Sequence, residues 1–163
     1  HSCSQRPWLL LLLLCPLLVS AETLIGKVVR IVDGDTVVLL DATLIQHKIR
    51  LAGIDAPEAK QAFGQKSKEH LSGLVAGQEV EVEWQKRDRY QRILGKIIAA
   101  GQDVNLVQVR MGMAWWYRKY AGGQSPVDRL LYADAEHQAQ TTHAGLWVDP
   151  QPLAPWAWRQ SQH

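Results

Sequence analysis

Two short segments of the chain combine acidic residues with an arginine in a way that could bind a cation beside a phosphate. One is Asp33–Thr36, with the letters DGDT, and the other is Arg50–Glu58, with the letters RLAGIDAPE. Carboxylate oxygens are ligands that Ca²⁺ and Mg²⁺ prefer, and a planar guanidinium group matches a phosphodiester through two parallel hydrogen bonds. These residue types therefore predict chemistry on a phosphate ester.

Asp35 and Asp55 are the candidate cation ligands. Each lies where an apolar, β-branched run gives way to a turn, so neighbouring strands could bring both carboxylates to one mouth of a barrel. Two carboxylates, a main-chain carbonyl and water would then bind Ca²⁺. The alternative is that Asp33 and Asp35 only form a turn, which is the commoner role of an isolated Asp-Gly-Asp.

Glu58, Arg50 and Arg92 are the other candidates for chemistry. Glu58 follows Pro57 at a predicted helix start, where it would either face the helix dipole or act as the base for an attacking water. Arg50 could instead form a cross-strand ion pair, and Arg92 could be a solvated cation in the basic run Lys86–Arg92. Each plain explanation is reasonable alone, but the acids and arginines taken together are harder to explain in that way.

The elements that would position these residues are short strands followed by helices. Apolar runs separated by turn signals predict strands at Leu24–Val32, Thr36–Leu40, Leu44–Leu51, Glu79–Trp84 and Ile93–Ala100. Helical periodicity predicts helices at Glu58–Val75, Val104–Arg110 and Pro126–Gln140, the last with Leu130, Leu131, Ala135 and Ala139 facing inward. This order predicts an α+β fold that is mainly β, a five-stranded OB-fold barrel capped by about three helices.

The two ends of the chain differ from this domain, which we place at residues 22–148. Arg6 and the apolar run Trp8–Val19 predict a secretory signal peptide over residues 1–21, cleaved after Ala21, and hence a secreted or periplasmic protein. An uncleaved membrane anchor is the alternative, but the run would span only ~18 Å as a helix, against a bilayer core of ~30 Å. Residues 149–163 are rich in Pro, Gln and Trp and predict an irregular tail that docks through Trp156 and Trp158.

Net charge and cysteine content limit what can be inferred about partners and covalent cross-links. The chain has 163 residues and a net charge of +2, which becomes +1 when Arg6 leaves with the leader, so total charge alone does not indicate nucleic-acid binding. Both cysteines, Cys3 and Cys15, lie in the leader. The mature chain would therefore form neither a disulfide nor a thiolate metal site.

The candidate residues occur in motifs that together resemble the staphylococcal (micrococcal) nuclease family, from about Leu24 to Trp147. The matching segments are Val32–Thr36, Arg50–Glu58, Tyr90–Arg92, Val104–Asn105 and Gly145–Trp147. Any one segment alone would be weak, whereas the combination in this order is highly specific. Gln91 departs from the family pattern because it replaces a glycine, which we expect to alter how that loop approaches a substrate.

The resemblance implies a Ca²⁺ cofactor and a nucleic-acid substrate. Asp35 and Asp55 would bind the cation through their carboxylates, and Ala56 through its main-chain carbonyl. Like its relatives, the protein would hydrolyse DNA and RNA with little sequence preference and leave 3′-phosphate and 5′-hydroxyl ends. A Ca²⁺ requirement suits an enzyme that works outside the cytoplasm.

The same resemblance implies roles around the phosphate. Arg50 and Arg92 would bind the scissile phosphate, while Glu58 would activate or position the attacking water. The positions that match substrate-binding residues of the family, for a terminal phosphate and for the base, are Arg89, Tyr90 and Tyr120.

Two other functions remain open for such a barrel. It could hold nucleic acid without cutting it, although Asp35, Arg50, Asp55, Glu58 and Arg92 are all present. It could instead be a structural or protein-binding barrel, which would lack the salt-sensitive nucleic-acid affinity that phosphate contacts produce. We expect a monomer with no protein partner and no stable membrane association after cleavage of the leader.

Overall fold

The computed structural model describes residues 21–163. The apolar run Trp8–Val19 lies outside the described residues, so the signal peptide and the location that it implies stay predictions. Within the described part of the chain, no helix combines the length and the apolar character needed to cross a membrane.

A closed barrel of five strands forms the centre of the fold. Its strands are β1 Glu22–Asp33, β2 Thr36–Asp41, β3 Gln46–Leu51, β5 Glu79–Arg87 and β6 Ile93–Ala99. They are antiparallel neighbours in the order β3-β2-β1-β5-β6, and a parallel pairing of β3 with β6 closes the sheet on itself. The predicted five-stranded barrel of the α+β class is therefore confirmed.

Short strand pairs lie beside the barrel. Strand β4, Ile54–Asp55, pairs with β8, Trp115–Trp116, and β7, Gln102–Asp103, extends the sheet beyond β6. The pairing of β4 with β8 ties the second acidic segment to a part of the chain about sixty residues away.

Alternating side chains fill the barrel. In β5 the sequence EVEVEW turns Val80 and Val82 inward and its glutamates outward, as the strict alternation predicts. Leu39, Ile49 and Ile97 meet them from β2, β3 and β6 and are fully buried. Side chains in a strand alternate between the two faces, so the inward positions form an apolar core. Polar residues at the strand ends lie beyond that core, at the mouth of the barrel.

Among residues 21–163, four α-helices cover the barrel and two short 3₁₀ helices connect them. The α-helices are α1 Gly64–Val75, α2 Val104–Arg110, α3 Pro126–Thr141 and α4 Pro155–Ser161, and the 3₁₀ helices are Arg118–Gly123 and Gly145–Val148. Helix α1 buries Leu71 and Val75, and α2 buries Val109, in the same core as the strands.

Two predicted elements begin later than the periodicity suggested. Helix α1 begins at Gly64 rather than Glu58, because Phe63 has a left-handed backbone with φ of 67° and cannot continue a right-handed helix. Strand β3 begins at Gln46 rather than Leu44, because Leu44 has φ of 64° in the turn after β2. Glu58 therefore lies in a loop before the helix.

The predicted inner face of the last long helix is partly wrong. Leu130 is 74% exposed and Leu131 is 46% exposed, whereas Tyr132 is buried. The helix is rotated because the Tyr132 hydroxyl donates a hydrogen bond of 2.7 Å to Asp103 and because Glu136 is buried against β8. Ala135 and the other expected alanine, Ala139, do face inward.

The expectation of a wholly irregular tail is also wrong. Pro155–Ser161 forms helix α4, which begins at a proline in its first turn, a favourable position for that residue. The tail docks through the indole of Trp156, which packs against the rings of Trp115 and Tyr117.

Candidate active site

The turn between β1 and β2 is held tightly against the helices. The Asp35 amide donates to Asp33 Oδ1 at 3.1 Å, and Gln108 Nε2 from α2 donates to the Gly34 carbonyl at 2.8 Å. A Cβ atom on Gly34 would lie 1.8 Å from Ser67 Oγ, so only glycine allows this approach to α1. The turn thus presents Asp35 in one fixed orientation.

Asp35 is a buried carboxylate with partners on both oxygens. Its Oδ2 accepts a 2.7 Å hydrogen bond from the Ala56 amide, and its Oδ1 accepts one of 3.0 Å from the Thr36 hydroxyl. Arg50 Nη2 lies 3.2 Å from Oδ2. The two acidic segments are therefore joined directly, through Asp35 and Ala56.

Arg50 lies between the two candidate cation ligands. Its Nη2 is 3.2 Å from Asp35 Oδ2 and 3.2 Å from Asp55 Oδ1, so one nitrogen bridges both carboxylates. Its Nη1 donates to the carbonyls of Leu51 and Ile54 at 2.8 and 2.9 Å. The guanidinium plane is consequently fixed by four partners at the end of β3.

Asp55 is positioned by β8 and α3. It pairs with Trp115 across the β4–β8 ladder, and the neighbouring Trp116 amide donates to buried Glu136 Oε2 at 2.7 Å. The other oxygen of Glu136 is 2.7 Å from Arg118 Nη2. This chain of contacts holds Asp55, whose side chain is only 1% exposed, beside Asp35 and Arg50.

Glu58 reaches the same cluster through an arginine from the tail. Arg159 of α4 donates to Glu58 Oε1 at 2.8 Å and to both oxygens of Asp55, at 3.1 and 2.8 Å. Sequence reasoning missed Arg159 because it treated the tail as irregular. The usable signal was Pro155, which marks a helix start three residues before Trp158 and four before this arginine.

Asp88 holds the basic loop between β5 and β6 in shape through hydrogen bonds to its carboxylate. Asp88 Oδ1 accepts from the amides of Tyr90 and Arg92, at 2.8 and 3.0 Å, and its Oδ2 accepts from Arg92 Nε at 2.7 Å. The guanidinium groups of Arg89 and Arg92 lie 4.8 and 5.3 Å from the centre of the Tyr90 ring.

This loop lies near the acidic cluster, but Arg92 is turned to Asp88. Leu94, two residues after Arg92, is the register partner of Arg50 in the parallel pairing of β3 with β6. Arg92 Nε is only 2.7 Å from Asp88 Oδ2, and the arginine side chain is 26% exposed. The structure thus places Arg50, Asp35, Asp55 and Glu58 in one bonded cluster, with Arg92 on the adjoining loop.

A row of aromatic rings borders the cluster. Tyr120 is 57% exposed and meets Tyr117 edge to face, with ring centres 4.7 Å apart. Tyr117 stacks on Trp156, with ring centres 5.2 Å apart and planes inclined by 21°. Trp156 in turn contacts Trp115.

Burial and neighbouring charges shift the pKa values of the acids in opposite directions. Burial acts to raise the pKa of Asp35, but the Arg50 guanidinium and hydrogen bonds outweigh it and hold that pKa below its usual value. Burial and the neighbouring Asp35 charge raise the pKa of Asp33 to about 7. Burial also raises the pKa of Asp55, against the opposing effect of Arg159 and Arg50.

The donor set suits a hard divalent cation only in part. Among residues 21–163, no three His, Cys, Asp or Glu side chains converge as metal ligands. Asp35 and Asp55 nevertheless form a buried all-oxygen pair, and two guanidinium groups already gather on it. Ca²⁺ accepts such a pair when a main-chain carbonyl and water complete its coordination.

Comparisons with known proteins identify the family of the chain. Residues 48–149 match the family model described as "Staphylococcal nuclease homologue". An "Uncharacterized endonuclease" of Haemophilus influenzae is 43% identical over 143 residues, covering 88% of this chain and 77% of the relative. A "Micrococcal nuclease" of Shigella flexneri is 42% identical over 146 residues, covering 83% and 80%. The chain therefore belongs to the staphylococcal nuclease homologue family.

Proposed function

We propose that this protein is a Ca²⁺-dependent nuclease that hydrolyses DNA and RNA with little sequence preference. The observation that carries the proposal is the cluster of Asp35, Arg50, Asp55 and Glu58 at one barrel mouth, in a chain of this family. The products would carry 3′-phosphate and 5′-hydroxyl ends.

Asp35 and Asp55 would hold the cation, together with the main-chain carbonyl of Ala56. Both carboxylates are buried, with exposures of 5% and 1%, so water screens their charge weakly. Bound Ca²⁺ would supply positive charge close to the phosphate oxygens on which negative charge accumulates. The fixed turn at Gly34 and the β4–β8 pairing keep the two acids from spreading apart.

Arg50 and Arg92 would bind the scissile phosphate from two sides. Arg50 is already oriented by the Leu51 and Ile54 carbonyls, so little conformational freedom remains to be lost on binding. Arg92 would have to share or leave its contact with Asp88. Two guanidinium groups aimed at the same phosphate stabilise charge that grows during attack.

Glu58 would act on the attacking water. Its carboxylate would accept a proton as the water oxygen bonds to phosphorus, the bond from phosphorus to the 5′ oxygen breaks, and solvent protonates the leaving oxygen. At 32% side-chain exposure, Glu58 is open enough to exchange that proton with solvent. Its loop position before α1 is held by Gln61, which accepts a hydrogen bond from the Glu58 amide at 3.1 Å.

Arg89, Tyr90 and Tyr120 would bind the parts of the substrate next to the scissile bond. Arg89 and Tyr90 are exposed on the loop that carries Arg92, where a neighbouring phosphate would pass. The exposed Tyr120 ring offers a stacking face for a base, an interaction that tolerates any sequence.

The direct test is digestion of single-stranded DNA by the chain from Glu22 onward, with Ca²⁺ and with a chelator, followed by analysis of the ends. We expect cleavage with Ca²⁺ alone and 3′-phosphate products. Glu58→Gln should keep DNA binding and lower turnover by about 10²–10⁴-fold, the usual contribution of a general base. Glu69→Gln, which alters an exposed glutamate on α1, is the charge-matched control and should cleave normally.

Three results would count against the proposal. Salt-sensitive DNA binding without any cleavage would favour the non-catalytic binding module. Cleavage that persists in chelator would remove the cation requirement. Near-normal turnover of Glu58→Gln would exclude Glu58 as the base.

A further inference from the structure

Helix α4 lies over the candidate active site and places a cation of its own on the acids. Arg159 is bonded to both oxygens of Asp55 and to Glu58, with nitrogen–oxygen distances of 2.8–3.1 Å. Arg50 shares Asp55 Oδ1 from the other side, at 3.2 Å. Both oxygens of Asp55 are therefore occupied by guanidinium groups.

A divalent cation at Asp55 would compete with Arg159 for the same oxygens. Ca²⁺ binds carboxylate oxygen at ~2.3–2.6 Å, which would place a divalent cation and the Arg159 guanidinium on one carboxylate. Their mutual repulsion is strong because Asp55 is 1% exposed and poorly screened. Binding of a cation and binding of Arg159 consequently oppose each other.

The same helix also contributes a ring that covers Tyr117 in the aromatic row. Trp156 stacks on Tyr117, with the ring centres 5.2 Å apart, and Tyr117 touches Tyr120 on its other edge. Trp156 thus occupies a ring face at the position where a nucleobase bound beside Tyr120 would stack. One short helix holds a guanidinium in place of the cation and an indole in place of a base.

The hydrogen bonds and ring contacts that dock α4 are made to residues outside the five barrel strands. Residues 149–154 between the 3₁₀ helix Gly145–Val148 and α4 have no regular secondary structure. They are tied to the mouth by a 2.6 Å hydrogen bond from Gln61 Nε2 to the Leu153 carbonyl and by the burial of Ala154. A seven-residue helix has little stability by itself, so its order depends on these docking contacts.

We propose that α4 is an autoinhibitory segment that competes with the divalent cation and the substrate for the active site, with Arg159 as the substitute cation. This inference rests on the proposed function only in identifying Asp35 and Asp55 as the cation ligands. Cation binding expels Arg159 from Asp55 and Glu58, frees Glu58 for water, and uncovers Tyr117 beside Tyr120.

The test measures Ca²⁺ affinity and the order of α4 rather than activity. Isothermal titration calorimetry with CaCl₂ compares the full chain with Arg159→Gln, Trp156→Ala and the exposed control Arg110→Gln. Arg159→Gln should bind Ca²⁺ roughly tenfold more tightly, since a hydrogen bond to a charged group typically corresponds to at least one decade in an equilibrium constant. Trp156→Ala, which keeps the arginine, should also tighten Ca²⁺ binding, and Arg110→Gln should not.

Hydrogen–deuterium exchange on the unaltered chain gives a second, independent measurement. Saturating Ca²⁺ should increase exchange of the amides at 156–161, because α4 loses its docking contacts. Unchanged protection of α4 at saturating Ca²⁺ would overturn the inference.

Two further results would overturn this inference, and a third would separate it from the proposed function. Tighter Ca²⁺ binding by Arg159→Gln but not by Trp156→Ala would show that loss of the arginine charge alone raises the affinity, without any part played by the docking of α4. Reduced cleavage by Arg159→Gln at unchanged Ca²⁺ affinity would make Arg159 a phosphate ligand. Ca²⁺-driven release of α4 in a chain that never cuts DNA would keep this inference and reject the nuclease.

Discussion

Arg50 shows how one residue type determines the geometry of the site. Its Nη2 bridges Asp35 and Asp55 at 3.2 Å each, while Nη1 is held by two main-chain carbonyls. A lysine carries the same single positive charge, but it offers one nitrogen and no planar fork. The bridging position therefore depends on the shape of the guanidinium group as well as on its charge.

Arg50→Lys should consequently lower turnover by on the order of 10²–10³-fold, the typical loss of one preorganised donor to the transition state. Substrate affinity should fall much less, because the positive charge remains. Steady-state kinetics on single-stranded DNA with Ca²⁺ would separate the two effects. Turnover within a few-fold of the unaltered chain would show that Arg50 only pairs the acids.

At the scale of elements, the loop between β5 and β6 carries a strained residue next to a candidate ligand of the phosphate. Gln91 has φ of 65°, and its amide donates to the Asp88 carbonyl at 3.0 Å to close the turn. Left-handed backbone costs a residue with a side chain ~1–2 kcal/mol, whereas glycine adopts it readily. Gln91 therefore holds this turn at a cost in stability that a glycine would not incur.

Gln91→Gly should raise the free energy of unfolding by ~0.5–1 kcal/mol, since relief of strain exceeds the added entropy of the unfolded chain. Urea denaturation measures the change. Gln140→Gly in the right-handed helix α3 is the matched control and should destabilise by ~0.5–1 kcal/mol. Equal destabilisation by both substitutions would mean that position 91 carries no strain.

A second element-scale feature is the support that α2 gives to the barrel mouth. The side chain of buried Asn105 accepts from the Ile97 amide and donates to the carbonyls of Ala52 and Gly95, at 2.9–3.2 Å. It joins β6 to the turn between β3 and β4. Arg50 and Asp55, on either side of that turn, thereby keep a constant separation.

For the whole molecule, the proposed cation site would couple cation binding to folding. The buried Asp35 and Asp55 carboxylates exist as a pair only in the closed barrel, so a cation that binds them binds the folded chain alone. A cation at one hundred times its dissociation constant would add ~2.7 kcal/mol to the free energy of unfolding. Loss of the α4 contacts on cation binding would reduce that gain.

Ca²⁺ should therefore raise the melting temperature, and chelator should reverse the effect. Asp35→Asn should abolish the Ca²⁺-dependent rise, because it removes one of two carboxylates, while the variant stays folded in chelator. Differential scanning calorimetry across a Ca²⁺ series measures both. An unchanged rise in Asp35→Asn would place the cation elsewhere.

Much of the site could be predicted because its residues belong to short segments. Asp35, Arg50, Asp55 and Glu58 stand at strand ends and turns, whose positions follow from apolar alternation and from Gly and Pro. The same local patterns predicted the barrel strands. The start of α1 was misplaced because a left-handed Phe63 leaves no mark on hydrophobic periodicity.

The barrel class and the residues available for chemistry can be read from the amino-acid order, since strand alternation and residue type are local properties. Which side chains meet depends on how distant elements pack. Arg159 lies about one hundred residues from Asp55 and Glu58, yet it bonds to both. Such pairing depends on the docking of Trp156 and on the path of the tail, which arise from packing between distant elements rather than from any local pattern.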